Sequence, residues 1–390
     1  MAERVMIHAQ EYADRIENAA KLIGDRGLDV LIVNSTEADY SNVRYFSGFW
    51  PLFETAGVAI TPAGKSVLMV GPESEQYGKD RSFIPDVFPM KEYRKSADPQ
   101  YPELVVSTYK DVFRFLGLTG EHLRVGIGGY LVTNPIQLEG LSESFPGAEI
   151  RRADDIMTEL RSVKSENELA CMREGYRITE LAIDEVLRRI EPGMTELQAV
   201  GIAQRVIYEN GAEYEGLPMY VFCESSTRHA ISRSTHRKFE KNNLVQLNLS
   251  AKVDGYSPSI GIPVCIGKLT PDKRELIEFG LEAHRWTYEQ LKGGVKASRV
   301  AKDYIEYFKK NKRYGNYLYG PCHGTGLIEV EPPWMETNSE YELKPGMTFQ
   351  VDTFVSGPSF GLRWETGAVI DTGGMKLLSN PIGEIHELGR

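Results

Sequence analysis

Five stretches in the second half of the chain set polar, chemistry-bearing side chains in apolar or glycine-rich surroundings. They are STRHAISRSTH (226–236), LVQLNLSAKVDGYSPSIGIP (244–263), GPCHGTGLIEVEPP (320–333), FQVDTF (349–354) and GLRWETG (361–367). Asp352 sits inside an apolar run, where burying a carboxylate without a partner is costly, so the sequence demands a partner for it. Asn248, between Leu247 and Leu249, carries the same demand. His229 and His323 are of the side-chain type whose proton affinity lies closest to neutral pH, which suits them to proton transfer. Cys322, beside His323, is expected to be a small buried hydrophobe rather than a nucleophile. HGTG is expected to be a backbone turn that carries His323, because its glycines lack the GxGxxG spacing of a phosphate-binding loop.

The elements that must position these residues are legible from periodicity. Tyr12, Ile16, Ala19, Ala20 and Ile23 recur at helical spacing, with Gly27 as the stop. Residues 30–33 form an apolar strand, and residues 57–61 and 66–70 form two more around a Pro62-Ala63-Gly64 turn. Helical and strand periods alternate to about residue 150, which predicts an α/β layer domain. Ser165 with Glu168, and Thr195 with Gln198, are capping boxes that open two helices. From Leu244 onward strands dominate, interrupted by helices near 271–291 and 297–311. The expected fold is therefore an α/β N-terminal domain over residues 1–158 and an α+β domain over 159–390.

With 390 residues the chain exceeds what one hydrophobic core usually organises. A formal charge of -10 with 45 basic residues offers no stripe for a phosphate backbone, so nucleic acid is not an expected partner. The N-terminal residues lack the apolar core of a signal peptide, and no stretch is long and apolar enough to span a membrane. Four cysteines without CxxC spacing fit reduced thiols, and a cytoplasmic location is expected.

Taken in order, these segments resemble the pita-bread superfamily of methionine aminopeptidase, aminopeptidase P, prolidase and creatinase. The likeness is carried by KSENE (164–168), EPGMTE (191–196), DGY (254–256), HGTG (323–326), EPP (331–333), LKPGM (343–347) and YFSGF (45–49). It implies a C-terminal domain built as a curved antiparallel sheet with helices on its outer face. In the metallopeptidases of that superfamily two aspartates, one histidine and two glutamates hold a pair of metals. Those positions fall on Asn248, Ser259, His323, Asp352 and Glu365, so two of five ligands are lost and a third is shortened. The second peptidase histidine is Val330 here.

The resemblance to creatinase, the metal-free branch, implies His229 as general acid/base, with His236 as a competing alignment. It puts Gly261 where creatinase has a guanidinium-binding glutamate. It also implies a homodimer in which the loop at residues 50–57 completes the neighbouring subunit's site, bringing Phe53 and Glu54 to the substrate. The expectation is thus a hydrolase independent of metal and cofactor that cleaves a non-peptide C–N bond in a small cationic or N–H-rich molecule. His229, His323 and Glu365 would be catalytic; Asn248, Asp352, Ser259, Glu331, Phe53 and Glu54 would bind substrate. The alternatives are an Xaa-Pro-type metallopeptidase with a degenerate metal site, one metal held by His323, Asp352 and Glu365, a non-catalytic binding protein, and a lyase.

Overall fold

The computed structural model describes residues 4–95 and 105–390. It contains two compact units, one of residues 7–161 and one of 1–6 with 162–390.

In the first unit β1 (Val30–Ser35), β2 (Ala56–Ile60), β3 (Ser66–Val70), β4 (Val87–Pro89), β5 (Arg124–Gly128) and β6 (Glu149–Arg152) form one sheet in the order β4-β3-β2-β1-β5-β6. β1 is antiparallel to β2 and parallel to β5. Every residue of β1 is buried, as expected of a strand covered on both faces. The helices that accompany the sheet include α1 (Ala9–Asp25), α2 (Ser41–Ser47), α3 (Glu75–Arg81), α4 (Tyr109–Leu116) and α5 (Pro135–Ser144). The YFSGF segment closes α2, which is buried along its whole length and ends at Gly48 in the left-handed region. The core on one face joins Ile32, Met69, Tyr93, Phe113 and Ile127.

α6 (Asp154–Ser162) leads into the second unit. There α7 (Glu166–Arg189) and α8 (Glu196–Glu209) begin with the two expected capping boxes. The strands are β7 (Tyr220–Cys223), β8 (Asn243–Ser250), β9 (Ser259–Ile266), β10 (Cys322–Gly324), β11 (Glu331–Met335), β12 (Thr348–Ser356), β13 (Gly361–Asp371), β14 (Gly374–Leu377) and β15 (His386–Glu387). They form a curled antiparallel half-barrel ordered β11-β10-β12-β13-β9-β8-β7, with β14 on β13 and only β15 running parallel, on β9. α7 packs on β8 and β9, and α9 (Pro271–Gln290) on β12 and β13; α10 (Ala297–Lys310) packs against α9. The expected fold class is the one observed. Strand structure starts earlier than expected because β7, too short to show a period, pairs with β8. Among the described residues no helix is long and apolar enough to cross a membrane.

Candidate active site

Alternate residues of a strand share a face, and four neighbouring strands here devote one face to polar groups. β8 contributes Gln246 and Asn248, β9 Ser259, β12 Gln350 and Asp352, and β13 Arg363 and Glu365. Register aligns them: Asp352 is opposite Glu365, and Gly261 is opposite both Glu365 and Asn248. Gly261 is the clearance that lets these groups meet. A Cβ there would lie 2.9 Å from both amide atoms of Asn248 and from the Cβ of Glu365. The position that holds a guanidinium-binding glutamate in creatinase therefore has no room for a side chain.

Glu365 is the centre of the network. Its Oε1 accepts from the Ser259 hydroxyl at 2.6 Å and the Gln350 amide at 2.9 Å, and its Oε2 accepts from the Asn248 amide. Gln246 in turn donates to Asn248 Oδ1 at 3.0 Å, which fixes the direction of that amide. Asn248 and Ser259 thus hold a carboxylate in place. Burial, with Glu329 beside it, pushes Glu365 up to about 8.

Glu329, which the sequence reading passed over, belongs to this cluster. Its Oε1 lies 3.3 Å from the Ser259 hydroxyl and 3.8 Å from His323 Nε2. Burial raises its carboxyl above the usual range, offset in part by a hydrogen bond with Glu365. His323 Nδ1 is 2.9 Å from the carbonyl of Gly324, which can only accept. Nδ1 therefore carries the ring proton in the neutral imidazole, and the Nε2 lone pair faces Glu329.

Asp352 has the partner its apolar context demanded, and it is Arg363. The guanidinium Nε stands 3.0 Å from Asp352 Oδ1 and 3.9 Å from Glu365. Neither Nε nor Oδ1 makes a directed hydrogen bond, so charge holds the pair. Arg363 Nη2 donates to the Ala230 carbonyl at 3.0 Å and to the Tyr319 hydroxyl. Burial raises the Asp352 carboxyl, while Arg363 opposes the rise. The sequence signal for both overlooked residues was alternation: Glu329 with Glu331, and Arg363 with Glu365, are charged residues two apart in apolar runs.

Other expected site residues have different placements. Glu331 pairs with Lys164 at 3.1 Å, both side chains buried, and accepts the Ile328 amide at 3.2 Å, so it braces the turn that carries Glu329. Glu54 turns into its own unit and accepts from the Ser74 amide at 3.0 Å and hydroxyl at 2.7 Å. A Cβ on Gly71 would overlap its carboxylate, so Glu54 is packed as a cap rather than presented to a substrate. Phe53 is 66% exposed with a positive φ of 59°. His229 is exposed on the loop after a short helical turn (Glu224–Arg228), and His236 is exposed beyond it. Neither histidine joins the carboxylate cluster; the residue after His229, Ala230, meets Arg363 through its carbonyl.

Donor chemistry decides which ions fit. One atom each from His323, Glu329 and Glu365 lies within 4.8 Å of the others, a nitrogen and carboxylate set suited to a single borderline divalent cation. A pair does not fit, because Asn248 and Ser259 are neutral and Asp352 is held by Arg363. With all three carboxyls ionised, they and one guanidinium leave two negative charges, which one divalent cation would neutralise.

A chain with this half-barrel and carboxylate face belongs to a known class. Residues 170–372 match metallopeptidase family M24, and residues 15–163 match the creatinase/prolidase N-terminal domain. The chain belongs to the M24 family. It is similar to an Xaa-Pro dipeptidase of Pyrococcus furiosus, 24% identical over 379 residues, covering 95% of this chain and 99% of that protein. The fold matches an X-Pro aminopeptidase from Thermotoga maritima with a TM-score of 0.82 at 19% identity, covering 96% of this chain and 99% of that one. A prolidase from Pyrococcus horikoshii gives 0.81 at 20% identity, covering 95% and 99%.

These matches overturn the expectation of a metal-independent hydrolase of non-peptide C–N bonds and the alignment with creatinase. The physical reason for the error is Glu329. The aspartates replaced at Asn248 and Ser259 suggested that the anionic charge a cation needs was gone, whereas Glu329 adds a carboxylate beside His323 and Glu365.

Proposed function

We propose that this protein is a metallopeptidase that hydrolyses short peptides of the Xaa-Pro type, with one divalent cation held by His323, Glu329 and Glu365. The observation that carries the proposal is the convergence of those three donors on the polar face of the half-barrel. The similarity to Xaa-Pro dipeptidases supports the substrate class.

A cation bound there would supply Lewis acidity, polarising a peptide carbonyl and acidifying a coordinated water. The chain's own residues supply the positioning. Ser259, Gln350 and Asn248 fix both oxygens of Glu365, and the Gly324 carbonyl fixes the tautomer of His323. Arg363 lies at the edge of the adjoining cavity, where its positive charge favours the oxyanion that develops as the carbonyl is attacked. Glu329 would hold the cation through one oxygen, and its second oxygen, set beside Glu365, is placed to accept a proton from water and return it to the leaving amine.

Purification without chelator, metal analysis and a dipeptide panel test this reading. One equivalent of cation per chain and turnover of an Xaa-Pro dipeptide are expected. A metal-loaded protein that hydrolyses no dipeptide would refute the peptidase reading, and two equivalents would refute the single-ion centre.

We further propose a homodimer. Leu52 and Phe53 are both more than half exposed on one loop of the N-terminal unit, a costly arrangement for a surface that meets only water. Light scattering should give twice the chain mass, and Leu52→Asp with Phe53→Asp should shift it toward the monomer.

A further inference from the structure

We propose that Tyr176, in the middle of α7, is a positioning residue for the cation centre. Through the Gln350 amide it holds Glu365 in the orientation that lets its carboxylate serve as a donor. The inference rests on the reading of Glu365 as one of the three cation donors.

Tyr176 belongs to the buried stripe of α7 with Leu169, Met172, Thr179 and Ile183, and it is wholly buried. A hydroxyl in such a place needs an acceptor. It finds one on β12, where it donates to Gln350 Oε1. Gly367, directly opposite Gln350 in the register of β12 and β13, makes this approach possible. A Cβ on Gly367 would overlap the Tyr176 hydroxyl, so the missing side chain is the slot that the phenol enters. Burial, reinforced by the charges of Glu365 and Glu329, raises this hydroxyl far above its ordinary range, so it remains a donor.

The surrounding groups fix the direction of each bond in the relay. Gln350 Nε2 lies 2.9 Å from the Ser259 carbonyl, which can only accept. The amide must therefore turn its NH2 group there and its oxygen to Tyr176. The same NH2 group lies 2.9 Å from Glu365 Oε1 and 3.0 Å from the Ser259 hydroxyl. Without the Tyr176 hydroxyl, Gln350 Oε1 would be buried with no donor. Turning the amide over gives no relief, because it would set that oxygen against the Ser259 carbonyl and the Glu365 carboxylate. Either way Glu365 loses the support that fixes its Oε1.

One helix thus bears on both carboxylates of the centre. Lys164, just before α7 begins, pairs with Glu331, which braces the turn carrying Glu329. Tyr176, further along, reaches Glu365 through Gln350.

Tyr176→Phe removes only the hydroxyl and tests the relay. Co2+ titrated into the metal-free chain, followed by its visible absorption, reads affinity and donor geometry without any turnover. Tyr176→Phe should weaken Co2+ binding by about ten- to a hundredfold, the usual range for partners that orient a ligand, and should change the absorption band. Gln350→Met, which leaves the phenol in place, should do the same. Adding Tyr176→Phe to Gln350→Met should weaken binding little further, because the relay is already cut. A Tyr176→Phe chain that melts lower but binds Co2+ with natural affinity and spectrum would make the hydroxyl merely structural and overturn the inference. Losses that simply add in the double variant would overturn it too, while leaving the cation centre intact. A natural chain that bound no Co2+ would overturn the centre and this role together.

Discussion

At the scale of single residues, the site depends on one carboxylate that stands outside the expected ligand positions. Glu329 takes its place through the Ser259 hydroxyl and its proximity to His323, not through strand register. Removing its charge has two consequences of opposite sign. Glu329→Gln should cut cation binding and lower kcat/KM at least about a hundredfold, because one of three donors and its negative charge are lost. The cation-free protein should become more stable, because the neutral amide removes one of two adjacent buried carboxyls whose charged forms disfavour each other. Metal titration and melting with and without chelator read both. A variant that melts lower in chelator would contradict the clustering. His323, Asp352 and Glu365 were legible from motif and context, since a charged residue in an apolar run announces a site. Glu329 was not, because Glu331, two residues on and followed by two prolines, offered a more familiar signal. Glu331 serves as a brace, which shows that burial of a carboxylate locates a demand for a partner without naming it.

At the scale of elements, the site is held from behind as well as from within. Thr353 and Thr366 follow Asp352 and Glu365 and point to the opposite sheet face, where α9 presents His284. Its Nδ1 lies 3.2 Å from the Thr353 hydroxyl, its Nε2 lies 3.0 Å from that of Thr366, and the Tyr288 hydroxyl lies 2.7 Å from Nε2. Burial lowers the His284 pKa to about 3. The unfolded chain takes up this proton below about pH 6.5 and the folded chain does not, so stability falls as pH drops through that window. The slope approaches about 1.4 kcal/mol per pH unit and flattens near the folded value. Urea midpoints between pH 7 and 4 should fall less steeply for His284→Gln than for the natural chain; identical slopes would exclude His284 as the source.

The Lys164–Glu331 pair ties the start of α7 to β11 and makes a second prediction at this scale. Lys164→Met leaves a buried carboxylate short of its countercharge and should cost about 3–5 kcal/mol. The double variant with Glu331→Leu should recover part of that loss in denaturant titrations, and a double variant no better than the single one would show that the pair is not the source. Capping boxes made both helices readable from sequence. The order of the half-barrel strands was not, since pairings such as β9 with β13 join segments about a hundred residues apart.

At the scale of the molecule, two compact units share one chain, but the three donors proposed for the cation all belong to residues 162–390. Binding to the native state alone stabilises only the unit whose unfolding releases the ion, by about 4 kcal/mol when free cation exceeds its Kd a thousandfold. Unfolding of a chain with two cores need not be a single transition. Calorimetry of the full chain should therefore show a transition that moves upward with added cation and another that does not, with hydrogen exchange assigning the mobile one to 162–390. Glu329→Gln should abolish the shift while leaving two transitions in place. If both transitions moved together with cation, the units would be unfolding as one, and the site's stabilisation would extend to the domain that contributes none of its ligands.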